Sequence, residues 1–259
     1  APIGYYDLKQ AIIKSSNNYF FKLFRKIINR EKDSNTYVDS RLGLIEWNNY
    51  VKNFGLGSSL NIDMPILSSG FVPSYNYYDD LYGRNRWKFS NIYSLSIGQG
   101  ELLVTPLQMA NLAAIIANRG IYYTPKIAIE IDGKKVMNQT RINTDIDINH
   151  YNYIIDAMED AVKLGSARRG YMNDIILCGK TSTVQNPHGY DHSGFIGFAP
   201  KKKPKIAISS YIENAGQGGR AAVSIASLAV EYYINNGIKR KWLEDYVLLG
   251  DFIDEEGTE

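Results

Sequence analysis

Cys178-Gly179-Lys180-Thr181-Ser182-Thr183-Val184-Gln185 is the most chemically loaded stretch of this chain. The apolar run Ile175-Ile176-Leu177 leads into it and Asn186-Pro187-His188-Gly189 turns the chain after it, so it reads as a strand. A fixed ammonium, a row of hydroxyls and a strand edge can together hold a carboxylate and an extended peptide. Two apolar segments follow, Gly194 to Ala199 and Lys205 to Glu213, joined by Pro200-Lys201-Lys202-Lys203-Pro204, which reads as a solvated turn. An antiparallel sheet is expected, with the two apolar segments placing Lys180 on an inner strand. A closing helix, Ala221 to Asn235 with Gly237 as its cap, packs back on that sheet.

Upstream the pattern is helical. Asp7 with Gln10 three residues on is a capping box opening a helix at Leu8. The polar cluster Ser15-Ser16-Asn17-Asn18 then separates it from a second helix, whose Phe20, Leu23, Phe24 and Ile27 share one face. Lys32 to Arg41 reads as a polar connection, Leu44 to Phe54 as a helix stopped at Gly55-Leu56-Gly57, and Ser68 to Lys88 as an ordered loop with locally packed aromatics. Thr105 as N-cap and Pro106 at the first helical position start another helix, ended by Asn118-Arg119-Gly120. A hairpin from Lys126 to Asn138 around Asp132-Gly133 and a helix from His150 to Leu164 complete the pattern. The fold class is α/β of the α+β kind, an antiparallel sheet flanked by helices with an all-helical subregion.

At 259 residues the chain can bury roughly 75% of its unfolded surface, enough for a sizeable core. Its 29 basic and 27 acidic residues leave +2, which gives no footprint for nucleic acid. The one cysteine, Cys178, excludes an internal disulfide and a cysteine metal cluster and reads as a packing residue. No apolar run approaches the roughly 18 residues of a membrane span. His188, Asp191 and His192 read as loop contacts rather than metal ligands, His150 as a surface residue, and Gly98-Gln99-Gly100 as tight backbone packing rather than a phosphate loop.

Three motifs in order resemble a known family. Lys180-Thr181-Ser182-Thr183 is similar to the Lys-Thr/Ser-Gly motif of the penicillin-recognising serine enzymes, and Ser15-Ser16-Asn17 to their Ser-x-Asn motif. With Gly98-Gln99-Gly100, Thr105-Pro106-Leu107-Gln108 and Gln185-Asn186-Pro187-His188-Gly189, the chain from about Tyr5 to about Asn235 resembles the transpeptidase domain of elongation-type class B penicillin-binding proteins. The resemblance implies the transpeptidase and serine β-lactamase fold with its N-terminal part truncated. Residues 1–238 would form the partial domain, mainly helical over about 15–125 and sheet plus helix over 126–238, and 239–259 an acidic tail with a solvated, frayed end.

The activity implied is D,D-transpeptidation: a serine attacks the peptide bond between two terminal D-alanines, and the acyl group passes to an amine on a neighbouring strand. Ser15 would relay a proton, Asn17 bind a substrate amide and orient the lysine of Ser-x-x-Lys, and Lys180 keep the pocket positive. Thr181, Ser182 and Thr183 would line the substrate, the two threonine hydroxyls on its carboxylate and the Thr183 N–H as an oxyanion donor. Ser15 and Asn17 read in isolation would be only a helix N-cap. No cofactor or metal is implied. The partners implied are the peptidoglycan stem peptide, β-lactams, a cell-wall glycosyltransferase and elongation-complex proteins, at the periplasmic face of the inner membrane through an anchor outside this sequence.

Two departures stand out. No serine here is followed three residues on by lysine, so the Ser-x-x-Lys nucleophile is expected before Ala1 and the chain alone is expected to be inactive. Ser182 stands where the family carries Gly, adding a Cβ where a substrate backbone needs clearance. Both leave room for the alternative of a catalytically inactive homologue serving as a binding or scaffold module. A β-lactamase-like hydrolase would need a water-activating carboxylate motif, for which the sequence offers no candidate.

Overall fold

The structure is a computed structural model and describes residues 6–64, 67–136, 140–250 and 252. In chain order its elements are α1 (Leu8–Lys14), α2 (Asn17–Ile28), α3 (Thr36–Asn53), α4 (Tyr75–Tyr82), α5 (Phe89–Ile92), a 3-10 turn (Tyr93–Ile97) and α6 (Pro106–Ala117). Then come β1 (Ile121–Tyr123), β2 (Glu130–Ile131), β3 (Lys134–Lys135), β4 (Arg141–Asn143), α7 (Ile148–Leu164) and a second 3-10 turn (Arg168–Gly170). The chain closes with β5 (Cys178–Val184), β6 (His192–Ala199), β7 (Ile206–Ile212), α8 (Ala221–Asn235) and α9 (Lys241–Leu249). Rather than dividing near residue 125, the described residues form two compact units, one within the ranges 1–15, 109–122 and 145–259, the other within 16–108 and 123–144.

The first unit is built on the sheet β5-β6-β7, antiparallel throughout, with Lys180 opposite Ile196 and Ser182 opposite Gly194. Because side chains alternate along a strand, the sheet buries both faces. On one, Phe195 packs with Val223, Ala226 and Val230 of α8; on the other, Cys178 and Phe198 pack with Ile155 and Met158 of α7. Among the described residues β5 has β6 as its one strand neighbour, so it is an edge strand and not the inner strand expected. The two apolar segments that suggested an inner position both follow β5 in a meander, which leaves the first strand at the rim. The Cys178 thiol is fully buried and pushed up to about 12 by that burial, as suits a packing residue.

Helix α1 packs on α7. The capping box is present: the Asp7 carboxylate accepts the Gln10 N–H at 2.7 Å, and the Gln10 side chain accepts the Asp7 N–H at 3.2 Å. Lys9 adds an ion pair to Asp160 at 2.6 Å and gives its N–H to the Tyr153 hydroxyl at 3.2 Å. Lys201, expected at a solvated hairpin tip, instead bridges Asp156, at 2.6 Å, and Glu159 on α7. Burial works against its ammonium, yet those two carboxylates hold its pKa above the ordinary lysine value.

Segment 239–259, expected as a tail, begins with α9, whose Leu243 is fully buried. Glu231 of α8, 1% exposed, accepts from Arg240 at 2.9 Å and from the Lys239 N–H at 3.1 Å, which ties α9 down. Residues 251 and 253–259, including the acidic end, lie outside the described residues. Helix α8 spans the expected residues but ends on Asn236 in the left-handed conformation rather than on Gly237. No helix among the described residues is long and apolar enough to cross a membrane.

The second unit is helical around an aromatic core of Phe24, Ile28, Tyr37, Leu44, Tyr78 and Trp87. Helix α3 starts at Thr36, well before the expected Leu44, with Asn35 as its cap. The buried Asp39 explains how so polar a start is accommodated, since its carboxylate accepts the N–H groups of Glu31 and Lys32 at 3.2 and 3.0 Å. The expected loop 68–88 contains α4, capped by Ser74, within which the Asp79 carboxylate accepts from the Tyr37 hydroxyl at 2.9 Å and the Trp87 indole at 2.7 Å. Thr105 and Gln108 form a reciprocal cap at the start of α6, at 3.1 and 2.9 Å, as the sequence indicates. β2 and β3 pair around Asp132-Gly133, while the hairpin's expected end at Asn138 lies outside the described residues.

Candidate active site

The capping box of α1 sets where that helix begins, and Ser15 is where it ends. Ser15 is the C-cap, in the left-handed region at φ 54°, ψ 51°, and its N–H reaches back to the carbonyls of Ala11 and Ile12. For a residue with a Cβ that conformation costs about 1–2 kcal/mol, and it persists only where surrounding structure holds it. Its exposed hydroxyl accepts a hydrogen bond from the Lys180 ammonium at 2.8 Å. Lys180 gives a second bond, also 2.8 Å, to the Thr181 carbonyl. Burial alone pushes the Lys180 pKa down to about 8, so at neutral pH the group stays mainly cationic while lying close to proton exchange.

The three hydroxyl residues after Lys180 meet different surroundings. Thr181 is buried and its hydroxyl is bonded to the Ser166 hydroxyl at 2.7 Å. Thr183 is exposed, and its Oγ1 accepts the Gly218 N–H at 3.3 Å, which ties the end of β5 to the loop before α8. Ser182 is exposed on the same face of β5 as Lys180, directly opposite Gly194. A Cβ at Gly194 would stand 2.2 Å from the Ser182 Oγ, so the space that the partner glycine leaves empty takes up the serine side chain. The atoms added at position 182 therefore lie across the sheet.

Asn17 is exposed in the first turn of α2, in the second unit. The N-cap of that helix is Ser16, whose hydroxyl accepts the Tyr19 N–H at 3.4 Å, so neither Ser15 nor Asn17 performs the capping that would explain the motif without chemistry. The structure thus brings Ser15 and Lys180 into direct contact and leaves Asn17 two residues along the chain. His192 Nδ1 accepts the Asn214 N–H at 3.0 Å and its ring packs on Tyr211, while Asp191 accepts the Asn186 N–H at 3.2 Å. Among the described residues no three of His, Cys, Asp or Glu are grouped to hold a metal. Ser166 is the residue at this site that the sequence did not single out; Gly165-Ser166-Ala167 directly after α7 was the available sign, a run of small residues where close packing was to come.

The family model "Penicillin binding protein transpeptidase domain" matches residues 2–231. Peptidoglycan D,D-transpeptidase MrdA of Acinetobacter baumannii is 29% identical over 251 residues, covering 89% of this chain and 35% of that protein. Penicillin-binding protein H of Bacillus subtilis is 28% identical over 249 residues, covering 86% and 33%. Among solved structures, PBP2 of Pseudomonas aeruginosa superposes with a TM-score of 0.74 at 24% identity, over 92% of this chain and 50% of that one. PBP2 of Helicobacter pylori in its complex with MreC gives 0.71 at 23%, over 89% and 40%. The chain spans about a third of the length of these curated relatives.

Proposed function

Since the chain belongs to the penicillin-binding protein transpeptidase-domain family, we propose that it supplies the β5 wall and proton relay of a peptidoglycan D,D-transpeptidase. The observation that carries this reading is the 2.8 Å hydrogen bond from Lys180 to Ser15. An ammonium depressed by burial and a hydroxyl within hydrogen-bond reach form a proton relay, held at the rim of an edge strand that an extended peptide can join. The Lys180 charge also draws a terminal carboxylate to that rim.

The chemistry proposed is acyl transfer from a D-alanyl-D-alanine stem peptide. The hydroxyl oxygen of a serine bonds to the penultimate carbonyl carbon while its proton passes through Ser15 to the amine of the terminal D-alanine, whose bond to that carbon breaks. An acceptor amine then attacks the ester and returns the serine hydroxyl. No serine of this sequence has lysine three residues on, so the nucleophile is not assigned to any of its residues. Asn17 is proposed to bind a substrate amide, Ser182 and Thr183 to line the peptide, and the Thr183 N–H to serve the oxyanion, whereas Thr181, expected on the substrate carboxylate, is buried with its hydroxyl engaged by Ser166 and supports the strand from behind. Partners proposed for the whole protein are β-lactams, a cell-wall glycosyltransferase and a scaffold of the MreC kind, the protein named with the H. pylori relative, with the periplasmic face of the inner membrane as its site of action.

Titration of the isotopically labelled chain with an N-acylated D-alanyl-D-alanine peptide tests this. Backbone signals of Lys180 to Thr183 and of Ser15 are expected to shift, and Lys180→Ala to abolish the shifts. Silence at β5, or equal binding by the variant, overturns the reading. Fluorescent penicillin is expected to leave no label that survives denaturation; a surviving label would place the nucleophile on a serine outside the Ser-x-x-Lys pattern.

A further inference from the structure

Ser166 lies just beyond α7, at a junction of three chain segments within the first unit. Its hydroxyl is bonded to that of Thr181 at 2.7 Å, and its N–H donates to the Ile13 carbonyl of α1 at 3.4 Å. The same approach is visible in the glycines around it. A Cβ at Gly165 would stand 2.4 Å from the Ile13 oxygen, and one at Gly219 would stand 2.7 Å from the Ser166 oxygen, so neither position has room for a side chain. Ile13 is two residues before Ser15, and Thr181 is one residue after Lys180. Ser166 therefore holds a near neighbour of each member of the Ser15–Lys180 pair, through one backbone bond and one hydroxyl bond.

Resting on the reading above, we infer that Ser166 is a positioning residue for the proton relay: it fixes the end of α1 against β5 and so sets the Ser15–Lys180 hydrogen bond. The Thr181 hydroxyl is part of this tie, since it is buried and spent on Ser166. Without the tie β5 can draw away from α1, and the ammonium, whose depression has no cause but burial, gains access to water.

The test follows the Lys180 side-chain signal by NMR as pH is raised, in the wild-type chain, Ser166→Ala and Ser166→Thr, alongside affinity for the D-alanyl-D-alanine peptide. In Ser166→Ala, loss of one hydrogen bond is expected to raise the proton affinity of Lys180 about threefold or more and to weaken the peptide about fivefold. Ser166→Thr, which keeps the hydroxyl, is expected to stay within about twofold of wild type on both counts. A folded Ser166→Ala chain whose melting temperature drops while the Lys180 titration stays put overturns the inference, because that is the signature of a merely structural contact. Should Ser166→Ala fail to fold, Thr181→Val removes the same bond from the other side with little change of shape, and is read by the same two outcomes. If the wild-type chain does not bind the peptide, the transpeptidase reading fails, while the Lys180 titration alone still decides for or against Ser166.

Discussion

Lys180 is the residue whose chemistry and whose energetic cost come from the same cause. Burial pushes its pKa down to about 8 from the ordinary 10.5, so in the window between them the unfolded chain holds a proton that the folded chain has released. Where the unfolded state binds more protons, stability rises with pH. The wild-type chain is therefore expected to gain stability relative to Lys180→Met as pH goes from 8 to 10, by on the order of 1–3 kcal/mol, with no further relative gain once both states are neutral. Urea midpoints of the two chains at pH 7, 8, 9 and 10 check this, and a constant difference across the series would count against a depressed lysine. At this scale Lys180 and Ser15 were legible in the sequence, because a lysine beside a run of small hydroxyl residues and a Ser-x-Asn break between two helices are unusual local patterns. Ser166 was not, since its role comes from a contact with Thr181 and a backbone bond to Ile13 that no local spacing encodes.

Elements were readable where their ends are written in short-range chemistry and unreadable where a distant group supplies the partner. The caps at Asp7 and Thr105 lie within three residues of what they bond, and both helices start where the sequence places them. The start of α3 depends on Asp39 serving the backbone at Glu31 and Lys32, so a polar stretch that looks like a connection is helix. Helix α9 shows the same effect, because its attachment depends on Glu231 accepting from Arg240 and from the Lys239 backbone. Charge this deeply buried is harmful when left unpaired. Arg240→Ala is expected to cost about 3–5 kcal/mol, whereas Glu231→Leu combined with Arg240→Leu is expected to recover most of it. Thermal unfolding of the three chains provides the check. An Arg240→Ala chain as stable as wild type would mean that the Arg240–Glu231 pair does not hold α9 in place.

For the molecule as a whole, the sequence suggests a helical stretch followed by a sheet, whereas the compact units alternate along the chain: residues 6–15 belong with the sheet and not with the helices that follow them directly. The physical reason is that the partners of α1 lie in α7 and the turn after it, more than a hundred residues along the chain. Its buried Ala11 and Ile12, its Lys9–Asp160 pair and the Ile13 carbonyl are all satisfied by α7 and the turn after it. Periodicity can place such a helix but carries no information about which distant face it covers. Deleting residues 1–15 is therefore expected to destabilise the sheet unit by on the order of 3 kcal/mol, mainly by uncovering the apolar surface that Ile12 and Ala11 bury. Hydrogen exchange gives the site-resolved reading. Amides of α7 and β5 should lose protection, while those of the aromatic unit around Tyr78 and Trp87 should keep theirs, because none of its core residues comes from the deleted stretch. Equal loss in both units would show that residues 1–15 support the chain globally, and unchanged protection of β5 would show that α1 adds nothing to the strand that carries Lys180.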